Sequence, residues 1–117
     1  MNLAGRTNDG ARAMLKEIET HRDQIAQLCR RYGVKRLELF GSAARGSDFE
    51  PGRSDVDLLI EFNEGQHPLF DEYFALQDEL SELLGHRVEL AGRAPLLNSR
   101  NYFRRNSILR DLDPVYG

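Results

Sequence analysis

The sequence predicts an α/β (α+β) fold, and three observations carry that reading. Apolar residues recur at helical spacing over 11–32 and again over 68–84. Apolar and polar residues alternate over 34–40, 55–62 and 87–91, the period of a half-buried strand. Glycines at positions 33 and 85 close the two helical patterns.

Taken in order, residues 1–10 are polar, contain Gly and Asn, and are expected to be flexible. Met14, Ile18, Ile25, Leu28 and Tyr32 mark the first helical region. The polar gap from Glu19 to Gln24 divides it, with Thr20 and Asp23 resembling a capping box and a second helix running from about His21 to Tyr32. Val34–Phe40 reads as a strand with Leu37 and Leu39 on one face and Arg36, Glu38 and Phe40 on the other. Asp55–Phe62 reads as a second strand, with Val56, Leu58, Ile60 and Phe62 opposite Asp55, Asp57 and Glu61. Residues 63–66 form a turn. Pro68–Leu84 is an amphipathic helix whose aromatics Phe70, Tyr73 and Phe74 suit a core or an interface. Arg87–Ala91 is a short third strand, and residues 92–117 read as one or two short helices.

The chemistry concentrates at residues 40–62. Asp55 and Asp57 project from one strand face, where two like charges repel unless a cation lies between them. Such an oxygen-only site suits Mg²⁺, which is commonly held by one or two carboxylates together with substrate phosphates. Gly41 allows the backbone to approach a phosphate, and the Ser42 hydroxyl and neighbouring N–H groups can donate to it. If the third strand lies beside the second, Glu89 converges on the two aspartates. Taken singly, Gly41-Ser42 is an ordinary tight turn and Asp55/Asp57 a solvated strand face; together they read as a metal–triphosphate site. Gly46, Pro51 and Gly52 are loop punctuation, and Glu61 is solvated. His21, His67 and His86 lack zinc spacing and are expected at the surface. Cys29 is expected to be packed rather than catalytic. Arg100, Arg104, Arg105 and Arg110 read as a solvated helix face or as a phosphate or RNA contact.

The 117 residues fit a single domain spanning 1–117, and the net charge of −3 without a polybasic run excludes general nucleic-acid binding. No apolar run approaches the ~20 residues of a membrane span, and the N-terminal stretch lacks the apolar core of a signal peptide. One cysteine cannot make an internal disulfide, which favours a reducing compartment, and the expected location is cytoplasmic.

Phe40-Gly41-Ser42, followed after residues 43–54 by Asp55-Val56-Asp57-Leu58, resembles the signature of the DNA polymerase beta nucleotidyltransferase superfamily. The fuller runs Gly41-Ser42-Ala43-Ala44-Arg45-Gly46 and Ser54-Asp55-Val56-Asp57-Leu58-Leu59 resemble its minimal nucleotidyltransferase (MNT) branch. The resemblance covers nearly the whole chain and implies a small mixed β-sheet flanked by helices. It implies two Mg²⁺ ions held by Asp55, Asp57 and Glu89, and a nucleoside triphosphate (ATP) gripped at Gly41 and Ser42. Arg45 would contact phosphate or brace the loop. An acceptor hydroxyl would attack the α-phosphorus and release pyrophosphate. The resemblance also implies a HEPN-family toxin as partner, with this chain as an antitoxin that transfers AMP to a toxin tyrosine. No oligomeric state is written in the residues.

One residue departs from the family pattern. The third carboxylate there is usually Asp, whereas this chain carries Val88-Glu89-Leu90. Glu89 is either a working substitute or the mark of weakened catalysis, since displacements of ~1 Å can cost on the order of 10²-fold in rate. A binding-only antitoxin is therefore the alternative to an AMP-transferring enzyme. A transferase acting on a small molecule is a third reading, which would ordinarily call for a second domain to bind the acceptor.

Overall fold

The computed structural model describes residues 9–41, 44, 55–98, 100–101, 106, 109–110 and 112–117. Among them the chain forms helices α1 (Asp9–Thr20) and α2 (Arg22–Tyr32), strands β1 (Val34–Phe40) and β2 (Val56–Phe62), helix α3 (Phe70–Leu84), strand β3 (Val88–Gly92), the short helix α4 (Arg93–Leu97) and strand β4 (Asp113–Tyr116). The described strands make one four-stranded sheet in the order β3-β2-β1-β4. β1 runs antiparallel to both β2 and β4, whereas β2 and β3 are parallel, so the sheet is mixed.

The division of the first helical region is correct, but not through a capping box. The Thr20 hydroxyl bonds back to the Lys16 carbonyl at 2.8 Å, and His21 precedes α2 without a side-chain cap. Backbone bonds from His21 to the Glu17 carbonyl and from Ile25 to the His21 carbonyl carry the hydrogen bonding through the junction. Threonine bonded to the carbonyl four residues back is a common local distortion of a helix. His21 is half-buried rather than fully at the surface, with Nδ1 2.9 Å from the Glu17 carbonyl oxygen. Gly33 ends α2 at φ +70°, its N–H returning to the carbonyls of Cys29 and Arg30.

β2 and the Leu37–Phe40 part of β1 alternate as their sequences predict, whereas a register shift between Val34 and Arg36 brings Val34 into the same core as Leu37 and Leu39. Leu37 and Leu39 join Val56, Leu58 and Ile60 on the face covered by Ile18, Ile25, Cys29, Leu76, Leu80 and Leu84 from the three longer helices. Each such side chain contributes roughly 1.5–3 kcal/mol on full burial. The opposite face holds a smaller cluster of Phe40 and Leu59 against Ala91, Leu96 and Leu112. Cross-links between elements are polar. The Arg22 guanidinium donates to the Val115 carbonyl at 3.0 Å, and the Tyr32 hydroxyl donates to Glu79 Oε2 at 2.6 Å. That bond to Glu79 is the main reason the Tyr32 phenol lies above its ordinary pKa.

Two boundaries differ from expectation, at the start of α3 and in the C-terminal segment. α3 begins at Phe70, with Pro68 and Leu69 leading into it. Phe70 and Phe74 stay exposed, and only Tyr73 of the three aromatics is half-buried. The C-terminal segment supplies the short helix α4 but also a strand, β4, where only helices were expected. Pro114 is tolerated there because β4 is an edge strand, and Val115 reaches the core at 4% exposure.

Cys29 is fully buried, and burial pushes its thiol up to about 12. The folded thiol thus keeps its proton to about 12, whereas an unfolded one releases it near ~8.5. The linked stability is present below the lower value and is lost as pH rises between the two. Cys29 should therefore resist alkylation at pH 8 until denaturant is added; rapid labelling of the folded chain would show that the packing around it is wrong.

Candidate nucleotide and metal site

The site lies on the sheet face away from α1–α3. Asp57 is the pivot. In the sheet register it stands opposite Phe40, the last residue of β1, and on its other side opposite Glu89 of β3. Asp55 precedes β2 by one residue, two positions from Asp57 and so on the same face. The third strand does lie beside the second, and their parallel pairing puts Glu89 next to Asp57 in the register.

Gly41 continues directly from Phe40 at φ +74°. A Cβ at this position would lie 2.5 Å from Asp57 Oδ2, closer than real contacts allow. The left-handed backbone favours glycine, and a side chain here would also have to push the Asp57 carboxylate aside. The turn's N-terminal residue and the central carboxylate are thus in direct contact. Ser42, Arg45, Gly46, Pro51, Gly52 and Ser54 lie outside the described residues, so the expected phosphate contacts of Ser42 and Arg45 are expectations from sequence.

Around the carboxylates runs a cleft of about 490 Å³, lined by Phe40, Asp57, Phe74, Gln77, Arg87, Glu89, Leu90 and Ala91. Asp55 Oδ1 stands 3.8 Å from Arg87 Nε, an exposed pair of small energetic weight. Glu89 is exposed, and Asp55 and Asp57 are half-exposed. Among the described residues no three His, Cys, Asp or Glu side chains converge as a metal-holding group. The three carboxylates share a strand face and a common end of the sheet, but their side chains do not form a closed cage. Asp55 leans to Arg87. The donor set, oxygen throughout, fits a hard ion such as Mg²⁺.

A residue pair that the sequence reading missed lies deeper on the same face. Glu38 is only 8% exposed and forms an ion pair with Arg93 at the start of α4. Glu38 sits opposite Leu59 of β2, next to the cluster of Phe40 and Leu59. Arg93 follows β3 directly, so the pair ties the end of β3 across β2 to β1. Removing one partner of a buried ion pair strands the other charge and is strongly destabilising. The signal available in sequence was a carboxylate flanked by apolar neighbours, Leu37-Glu38-Leu39, on the face that also carries Arg36 and Phe40.

Residues 21–112 match the family described as "Nucleotidyltransferase domain". The chain belongs to that family. Among its relatives is a Methanocaldococcus jannaschii protein named "Putative protein adenylyltransferase MJ1379", 38% identical over 98 residues, which span 84% of this chain and 91% of that one. Another is the "Protein adenylyltransferase MntA" of Thermococcus cleftensis, 36% identical over 86 residues, or 70% of this chain and 80% of the relative. A solved structure, "Structure of putative minimal nucleotidyltransferase", superposes with a TM-score of 0.65 at 32% identity, covering 86% of this chain and 94% of the other. The fold is also that of a chain in the complex of a tri-AMPylated Shewanella oneidensis HEPN toxin with an MNT antitoxin, with a TM-score of 0.56 at 16% identity over 86% of this chain and 72% of that chain. The mixed sheet flanked by helices is thus the minimal nucleotidyltransferase fold, and the matched residues contain the whole candidate site. No described helix of this nucleotidyltransferase is long and apolar enough to cross a membrane.

Gly41→Ala should destabilise the nucleotidyltransferase by about 1–3 kcal/mol, the usual cost of a non-glycine residue held in a sparsely populated backbone region, and should displace the Asp57 carboxylate. Thermal unfolding reads this as a drop of several degrees; an unchanged midpoint would mean that the contact between Gly41 and Asp57 is not present.

Proposed function

We propose that this nucleotidyltransferase transfers AMP from ATP to a hydroxyl, a tyrosine, of a HEPN-type partner protein and acts as that partner's antitoxin in the cytoplasm. One observation carries the reading: Asp57 stands between the end of β1 with its Gly41 turn and Glu89 of β3, in a chain of nucleotidyltransferase type. Relatives named protein adenylyltransferases support a protein acceptor, and the likeness to an MNT antitoxin bound to a HEPN toxin supports the kind of partner.

The roles follow from position. Asp55, Asp57 and Glu89 would hold Mg²⁺, which when bound neutralises charge on the triphosphate and lowers the pKa of the attacking hydroxyl. Gly41, lacking a side chain, lets the turn approach the β- and γ-phosphates, with Ser42 and Arg45 as their expected donors. Phe40 and Leu59 form an apolar floor on the face that carries Asp57. The cleft walled by Phe74 and Arg87 would receive the acceptor. The acceptor oxygen bonds to the α-phosphorus, the bond from that phosphorus to the oxygen bridging to the β-phosphorus breaks, pyrophosphate leaves, and the hydroxyl proton passes to solvent.

A second reading rests on Glu89, exposed and one methylene longer than the residue usual at this place. With the third carboxylate too mobile to serve, the chain would neutralise its partner by binding alone.

Intact-mass spectrometry of a HEPN partner incubated with this chain, ATP and Mg²⁺ separates the two. AMP-sized mass steps are expected. Asp55→Ala/Asp57→Ala should abolish them, because loss of direct ligands exceeds the roughly 10- to 100-fold that even outer-shell changes cost. A stable complex without any mass change would overturn the transferase reading in favour of occlusion.

A further inference from the structure

β3 carries Glu89 and is an edge strand in the described sheet. Its odd-numbered backbone groups face β2, as the bond from Val56 N–H to the Arg87 carbonyl shows at 2.8 Å. The even-numbered groups therefore point outward, where an edge ordinarily meets water or another strand. Here they meet α3. The Val88 N–H donates to Ser81 Oγ at 3.0 Å, and the Leu90 N–H donates to Gln77 Oε1 at 3.0 Å. The Leu90 carbonyl accepts from the Tyr73 hydroxyl at 2.7 Å. The Ser81 hydroxyl in turn donates to the Gln77 carbonyl at 2.8 Å, which orients it to accept from Val88. Tyr73, Gln77 and Ser81 follow at four-residue intervals and so lie on one face of α3. Three side chains thus replace a missing strand on both sides of Glu89.

Glutamate needs such a support more than aspartate would. It has an extra rotatable bond, so its carboxylate is only as well placed as the backbone beneath it. A site ligand on an unsecured edge strand is exposed to displacement, and shifts of ~1 Å already cost on the order of 10²-fold in rate. An amide side chain also suits the bonding exactly where it stands, since the Leu90 N–H requires an acceptor and Gln77 can offer one without adding a fourth negative charge to the cleft.

We infer that Gln77, with Tyr73 and Ser81, is a positioning residue for Glu89: the side-chain ladder of α3 clamps the outer edge of β3 and thereby sets the third carboxylate. The inference rests on the proposed role of Glu89 in holding the metal. Gln77→Met keeps length and helix preference but removes the acceptor. Two readouts test it. Amide hydrogen exchange at Leu90 should accelerate by about tenfold or more, and the affinity for Mn²⁺ in the presence of a non-hydrolysable ATP analogue should fall about tenfold, the scale of an outer-shell change. In a Glu89→Ala background, Gln77→Met should change Mn²⁺ affinity by less than about twofold, because its route to the ion is gone. An equal loss in both backgrounds would overturn the inference, since Gln77 would then act on the ligand itself. So would wild-type Mn²⁺ affinity in Gln77→Met. If Gln77→Met fails to unfold cooperatively, Ser81→Ala, which releases the Val88 N–H, must show the same pattern or the inference falls. Absence of Mn²⁺ binding by the unaltered chain would sink the metal reading itself and this inference with it, an outcome distinct from binding that ignores Gln77.

Discussion

β2 is paired on both sides, antiparallel to β1 and parallel to β3, and this double pairing leaves its register no freedom. A slip of one residue would turn Val56, Leu58 and Ile60 out to solvent and drive Asp55 and Asp57 under the helices. The apolar loss alone is several kcal/mol, and the buried carboxylates would add to it. The same alternation that makes the core therefore presents the aspartates, so a mutation that loosens the core threatens the site as well. Phe40, Asp57 and Glu89 stand in line across three strands for this reason.

The two faces of the sheet do different work. Helices α1–α3 cover one with a continuous apolar layer, whereas the other keeps a small apolar floor around Phe40 and Leu59 and leaves the carboxylates accessible. Polar groups hold the open face together: Glu38 with Arg93 beneath it, and the α3 ladder along its edge. The site is thus carried on strands and on one glycine turn, which gives more precise placement than loops alone.

Much of this was legible in the residues. Alternation placed Leu37 and Leu39 opposite Glu38 and Phe40, and it placed Asp55 and Asp57 on one face; the Val88-Glu89-Leu90 run gave the third carboxylate. The motif pair around Gly41 and Asp55–Leu58 pointed to the family. Other features depend on contacts distant in sequence. Glu38 looked like any polar-face residue because Arg93, which compensates its burial, comes from another element. Gln77 and Ser81 carry no signal of their own in the sequence of an amphipathic helix, and only the edge position of β3 gives them partners. β4 was missed because four residues beginning Asp-Pro carry little strand signal and take their shape from pairing with β1. Thr20 suggested a cap, but its hydroxyl finds the Lys16 carbonyl instead.

In the proposed function the Gly41 turn, Asp57 and Glu89 surround one metal–nucleotide site. Amide NMR of the chain with an ATP analogue, recorded with Mg²⁺ and then with a trace of Mn²⁺, tests it most directly. Paramagnetic broadening is expected to centre on Gly41, Asp55, Asp57 and Glu89 and to fade along α1. Broadening centred elsewhere, or none at all with nucleotide and metal in excess, would contradict it.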